Sequence, residues 1–227
     1  VKKVLAIPDL HFPWHSVDGL SAVYALIDKE KPDVIVQLGD LYDQFSFSKF
    51  SRSHDLLTPS EEISEGRECA MNLWTNIRKN CKRTTRLIQL LGNHDDRVAK
   101  RIAEKVPEIA CLLQSSQNSL FKFPSVETIL DSRHELVIDG VIYTHGFLAS
   151  GKHVSYFQRS VVHGHTHRGG LYTLEQAGRT LFELDCGFLA DRYAVPLRYT
   201  PTTTTRWNLG LGLIDSLGPR FIPLNNL

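Results

Sequence analysis

Nowhere in the 227 residues does an apolar run approach the roughly 20 residues of a membrane-spanning helix, so no such span is expected. Charge of one sign is missing too: 26 Lys and Arg face 25 Asp and Glu, a formal net charge of +1. That balance supplies no overall field to draw in nucleic acid or an anionic membrane, although local patches remain open. Cysteine is scarce, and no two of the four stand as a C-x-x-C pair. Cys69, Cys81, Cys111 and Cys186 therefore read as separate reduced thiols of a cytosolic protein, not as a disulfide framework. The leading "VKKVLAIPDLH" passes from a short apolar stretch straight into acidic and histidine residues, unlike a signal peptide. Internal repeats and low-complexity linkers are also lacking. What is present, 42% hydrophobic and 22% charged residues, suits one α/β domain spanning residues 1–227.

Hydrophobic periodicity divides the chain into two halves. In the first, short apolar runs at Lys3–Ile7, Val34–Leu38 and Leu87–Leu91 read as buried strands, each opening into a polar loop. Between the first two, Leu20, Val23, Tyr24 and Ile27 form a helical stripe closed by Lys31-Pro32. Thr58-Pro59-Ser60-Glu61 is a capping box with proline at the first helical position. It starts a helix carried by Ile63, Ala70, Leu73, Trp74 and Ile77, the main part of a helical excursion over about residues 45–80. After the third strand comes a basic helix with Val98, Ile102 and Val106 inward and Lys100, Arg101 and Lys105 outward. The second half is mostly strands. Asp139-Gly140 between two β-branched runs predicts a hairpin, and further strand-like pieces lie at Val161–His163, around Tyr172 and Leu181, and from Trp207 to Ile214.

Histidine is the residue that then claims notice. "VVHGHTHRGG" places His163, His165 and His167 on alternate positions, which in a continuous strand would crowd one face. Gly164 permits a bend, so His163 reads as a strand histidine bonded to backbone while the other two turn elsewhere. Similar polar clusters close four other apolar runs: Asp9-Leu10-His11, Gly39-Asp40-x-x-Asp43, Gly92-Asn93-His94-Asp95 and His145-Gly146. Ligand sites of α/β sheets lie beyond the carboxyl ends of strands. Five strands delivering Asp, His and Asn at such ends would converge on one place.

The ordered set D-x-H, G-D-x-x-D, G-N-H-D, lone His and G-H-x-H resembles the calcineurin-like metallophosphoesterases. That resemblance implies a four-layer α/β/β/α sandwich of two mixed sheets flanked by helices. It also implies hydrolysis of phosphate esters by metal-activated hydroxide at a pair of divalent ions. Asp9, His11 and His167 would hold one ion, Asn93, His145 and His165 the other, with Asp40 bridging. Oxygen and imidazole donors without thiolate suit manganese first, with iron, zinc or nickel as alternatives. His94 would donate the proton to the leaving oxygen, and Asp43 would orient it. Asn93, Arg97 and His15 are the candidate substrate contacts, the guanidinium being suited to bidentate phosphate binding.

Other residues attract blander readings. Asp95 caps the next helix or braces a ligand, Lys152, His153 and Tyr156 form a rim over the site, and His54 and His134 are loop residues. Trp14, Trp74 and Trp207 pack. Phe12, Gln44 and Asp95 depart from the phosphoprotein phosphatases, which carry glycine, arginine and glutamate there; His167 and the stretches "DLHFPWH" and "GNHDDR" resemble instead the phosphodiesterase branch and its compact phage and bacterial members. The expected partner is thus a phosphate ester, with a phosphodiester, nucleotide or nucleic acid favoured, no membrane, and work in the cytoplasm, the host's if a phage encodes the chain. A phosphomonoesterase for phosphoprotein or a small metabolite is the second reading, and an inactive metal-binding scaffold the third.

Overall fold

The computed structural model describes residues 1–48, 57–108, 119–130, 135–194 and 206–224. Two sheets carry the architecture. In the first, β1 (Val4–Ile7), β2 (Val34–Gln37), β3 (Arg86–Gln89) and β4 (Glu127–Thr128) run parallel, and β10 (Gly210–Asp215) and β11 (Gly218–Pro223) extend the β1 edge antiparallel, giving the order β11-β10-β1-β2-β3-β4. The second has the order β5-β6-β7-β9-β8, from β5 (Leu136–Ile138), β6 (Val141–Tyr143), β7 (Val161–His163), β8 (Gly170–Gln176) and β9 (Arg179–Asp185). In it β6, β7 and β9 are parallel, and β5 and β8 are antiparallel edges.

Alternation along the strands shows why the layers stack as they do. Leu5, Ile7, Ile35 and Leu87 face α1 (Val17–Glu30) and α2 (Pro59–Asn80), packing with Leu20, Val23, Ile27, Leu73, Trp74 and Ile77. Their neighbours Val4, Ala6, Val34, Val36 and Ile88 turn the other way and pack on Tyr143, Val162, Leu184 and Cys186 of the second sheet. Both faces of the first sheet are therefore buried, which is why its strands read as unbroken apolar runs. Beyond the second sheet, Ile142 and Val161 are covered by Val154 and Phe157 of the five-residue helix α4 (His153–Phe157). The order helices, sheet, sheet, helix is the expected four-layer sandwich of two mixed sheets.

Local signals explain most element ends. The Ser16 side chain accepts from Gly19 N at 3.1 Å to start α1, and Lys31 closes it in a left-handed conformation before Pro32. Thr58 and Glu61 make the full capping box of α2, with Pro59 inside its first turn. Asp139 and Gly140 both take positive φ in the β5–β6 hairpin, as a type I′ turn requires. Two expectations need correction. Val106 is 43% exposed, because α3 (Arg97–Lys105) ends one residue before it and carries its stripe away from the core. On α2, Glu62 is buried where Ile63 is only half-buried, since its carboxylate accepts from Phe45 N and Ser46 N at 2.7 and 2.8 Å and pins the turn Phe45–Phe47. His54, Cys111 and His134 lie outside the described residues.

Leu73, fully buried between α2 and the first sheet, tests the main core. Leu73→Ala should cost about 2–5 kcal/mol of unfolding free energy in a denaturant titration. A loss near zero would show that this helix does not seal the sheet.

Candidate metal centre

Each anticipated donor follows a parallel strand. Asp9 and His11 follow β1, Asp40 follows β2, Asn93 follows β3, His145 follows β6, and His165 and His167 follow β7. The seven thus come from both sheets and meet where their carboxyl ends face each other. Five of them, Asp9, His11, Asp40, His165 and His167, sit at positive φ, which non-glycine residues rarely adopt. The bend expected at Gly164 is present: β7 stops at His163, and the turn sends His165 toward Asn93 and His167 toward Asp9. Such a concentration of unfavourable backbone at one place marks a site held by its surroundings.

Two donor sets emerge. On one side His167 Nε2 lies 3.2 Å from Asp9 Oδ1 and 3.3 Å from His11 Nε2. On the other, Asn93 Oδ1 lies 3.0 Å from His145 Nε2 and 2.8 Å from His165 Nδ1. Asp40 Oδ2 stands between them, 3.9 Å from His11 Nε2 and 3.3 Å from His145 Nε2. The outer ring nitrogens settle which atoms carry lone pairs. His11 Nδ1 lies 2.9 Å from Asp43 Oδ2 and His145 Nδ1 3.2 Å from the Leu38 carbonyl, so each donates there and leaves Nε2 as an acceptor. Nε2 of a neutral His145 then confronts Asn93 Oδ1 and Asp40 Oδ2, so that all three would be acceptors. Buried acceptors pointing at one another need a positive charge among them. Donors about 2.0–2.2 Å from a shared ion stand roughly 3 Å apart, as these do. The residues fit a divalent metal.

Charges within the set respond as expected. Burial opposes ionisation of Asp40, yet the imidazoles of His145 and His94 hold its carboxyl well below the usual carboxylate range. Burial likewise opposes charge on His145, but Asp40 outweighs it and pushes the imidazole up to about 9. His165, driven by burial and then by the charge of His145, falls to about 4 and stays a neutral donor. Asp95 is pushed up to about 7 by burial and by Asp40.

The groups around the donors are connected differently from the sequence expectation. Asp43 Oδ2 is closest to His11 Nδ1, at 2.9 Å, and lies 3.5 Å from His94 Nδ1, so it orients a donor first and His94 second. Arg97 does not stand open for phosphate. Its Nη1 reaches the Asp43 carbonyl and Oδ1 at 2.9 Å each, and its Nη2 lies 2.9 Å from His94 Nε2. Asp95 braces two donor loops, accepting from Tyr42 N at 3.0 Å and Gly92 N at 2.8 Å, while Asp96 takes the N-cap position of α3. Gln44 is buried, and its Oε1 accepts from Val98 N at 3.2 Å. His15 is set apart: it touches the Phe12 ring, the Pro13 carbonyl and the backbone of Ala190 rather than any donor. Asn93 belongs to the donor set itself.

Three supports were missed: the brace of His153, the carboxylate of Glu183 and the ring of Phe188. His153 is fully buried, not a rim residue; its Nε2 accepts from Phe147 N and Leu148 N at 3.1 Å each, holding the loop after His145. Glu183 receives His163 Nε2 at 2.9 Å and Val154 N at 3.0 Å, while His163 Nδ1 meets the Gly164 carbonyl at 2.8 Å. His167 is stacked on Phe188 and meets Trp207 edge-on, with centroids 5.2 and 4.8 Å away. Glu183 alternates with apolar residues in β9, so only the placement of α4 over that face reveals its burial.

A family model for calcineurin-like phosphoesterases matches residues 2–169, and the chain belongs to that family. Among individual relatives, the gene 54 protein of Mycobacterium phage L5 is 24% identical over 244 residues, covering 98% of this chain and 94% of that protein. A gene 54 protein of a second mycobacteriophage is 25% identical with the same coverage. Of solved structures, zinc-bound Vps29 from Entamoeba histolytica is similar at a TM-score of 0.50 and 13% identity, over 99% of this chain and 93% of that one, a likeness of fold. Yfce, a phosphoesterase from E. coli, matches at 0.47 and 18%, over 99% and 94%.

Glycine at 164 is required by close approach, because a Cβ there would fall onto Asp9 Oδ2. Gly164→Ala should therefore weaken metal binding about 10–100-fold, read by competition with a chromogenic chelator. Unchanged affinity would place the bound ion away from Asp9.

Proposed function

We propose that the chain is a phosphodiesterase that uses two divalent cations, manganese foremost, on a nucleotide or nucleic-acid phosphodiester. The observation that carries this reading is the pair of buried donor sets sharing Asp40, whose gathered lone pairs a cation would satisfy. Bound there, two cations would supply an activated water and neutralise charge on the phosphoryl oxygens. Asp9, His11 and His167 would hold one, and Asn93, His145 and His165 the other.

The remaining chemistry belongs to the chain. A departing alkoxide needs a proton, and His94 is the side chain at the edge of the donor set that can give one. Burial opposes its charged form, but Asp40 and Asp43 together raise its pKa above the ordinary value. Nε2 accepts from Arg97 Nη2 at 2.9 Å, so the proton to be passed would come to Nε2 once a substrate draws the guanidinium away. That proton and the guanidinium compete for the same nitrogen. When His94 is charged the guanidinium gives way, and the phosphoryl oxygens of a substrate become its natural acceptors. The likeness to mycobacteriophage proteins supports work in the cytoplasm of an infected host.

Hydrolysis of bis-p-nitrophenyl phosphate against p-nitrophenyl phosphate, with manganese returned after chelation, tests the reading. The diester should be turned over faster. Preference for the monoester would favour a phosphomonoesterase, and inertness toward both would leave a metal-binding module. His94→Ala should keep its metal content while slowing alkyl leaving groups by about 10²–10⁴-fold and p-nitrophenol far less. Equal slowing of both classes would remove His94 from the donor role.

A further inference from the structure

We propose that the pocket beside the metal centre receives the base of a nucleotide substrate, with Phe147 and Tyr156 as its aromatic wall. The inference rests on the phosphoesterase reading and names what the phosphate carries. The pocket, of about 430 Å³, is lined by the donors Asn93 and His145 together with Phe147, Tyr156, Lys100 and Glu135. Its size falls within the range of small-molecule sites, about 300–1,000 Å³. A group attached to a phosphate at the donors would therefore enter it directly.

The wall is unusual for a water-facing surface. Phe147 is 53% exposed and Tyr156 63%, and their rings meet edge to face at 5.2 Å between centroids. Phe157 supports both, at 6.2 and 5.1 Å. Single exposed apolar residues need no explanation, but two adjoining rings on one pocket beside a reaction centre do. The backbone beneath the wall is held in place. His153 accepts the backbone N–H of Phe147 from below, and Glu183 accepts that of Val154 within α4, both from positions closed to solvent. A ring offered without ordering cost is what a stacked ligand uses best.

The occupant has to be flat and polar-edged. Stacking uses the wall, and the ammonium of Lys100 and the carboxylate of Glu135 match the acceptors and donors along a base edge. An alkyl chain would use neither polar group, and a plain phenyl ring would use the wall alone.

Direct binding tests this without turnover. The full chain loaded with zinc, which is diamagnetic, is titrated with adenosine 5′-monophosphate, ribose 5-phosphate and phenyl phosphate and followed by saturation-transfer NMR. Adenosine 5′-monophosphate should bind about five- to a hundredfold more tightly than ribose 5-phosphate, the range a stacked base contributes. It should also bind more tightly than phenyl phosphate, with the base protons most strongly saturated. Phe147→Ala and Tyr156→Ala, both exposed and so neutral to folding by thermal melt, should each erase most of that advantage, and Phe147→Trp should keep it. Equal affinity for the three ligands, or an advantage that survives both alanine variants, overturns the proposal. Base-dependent binding in a protein that hydrolyses no ester would keep the pocket and remove the phosphoesterase reading. Ester hydrolysis without base preference would do the reverse.

Discussion

Mutual repulsion among buried acceptors is the constraint from which the rest of this structure follows. Asp9 and Asp40 are closed to solvent, and around them the rings of His11 and His145 are turned by hydrogen bonds on their far sides so that Nε2 of each faces inward. A protein interior tolerates such a gathering only when positive charge compensates it. Protons on His145 are one solution, and divalent ions a better one, because one ion serves several donors at once. The strained backbone at five of the donors, the glycines that let carboxylates approach, and the carboxylates of Asp43 and Asp95 all serve to keep these atoms together.

What could be read from sequence was the part governed by local rules. Apolar runs of four or five residues announced β1, β2 and β3, the Thr58 capping box marked the start of α2, and Asp139-Gly140 marked the hairpin. That these side chains meet was legible for a topological reason: polar residues that close successive parallel strands share one edge of the sheet. The two-residue β4 and the proline-bearing edge strand β11 carry too weak a pattern to be found this way. Backbone handedness at His165 and His167 was hidden because it depends on what Gly164 packs against, namely the Asp9 carboxylate.

The roles that escaped prediction are those decided by partners distant in the chain. Arg97 looked free in the first turn of α3, and the structure gives it to Asp43, 54 positions earlier. His153 looked like a rim residue, and burial against Glu183 makes it a brace for the loop that carries Phe147. Gln44, in the place where related phosphatases carry arginine, supports the start of α3 and offers phosphate no positive charge. The positive charge near His94 comes instead from Arg97, reached through a different element.

The donors are divided between the two sheets: Asp9, His11, Asp40 and Asn93 belong to one, and His145, His165 and His167 to the other. An ion gripped from both sides therefore acts as a rivet across the seam, and its affinity adds to the cohesion of the sandwich itself. Starvation for metal would loosen the molecule first along that joint. Supply of cations would in this way govern how long the protein survives proteases, apart from any effect on what it catalyses.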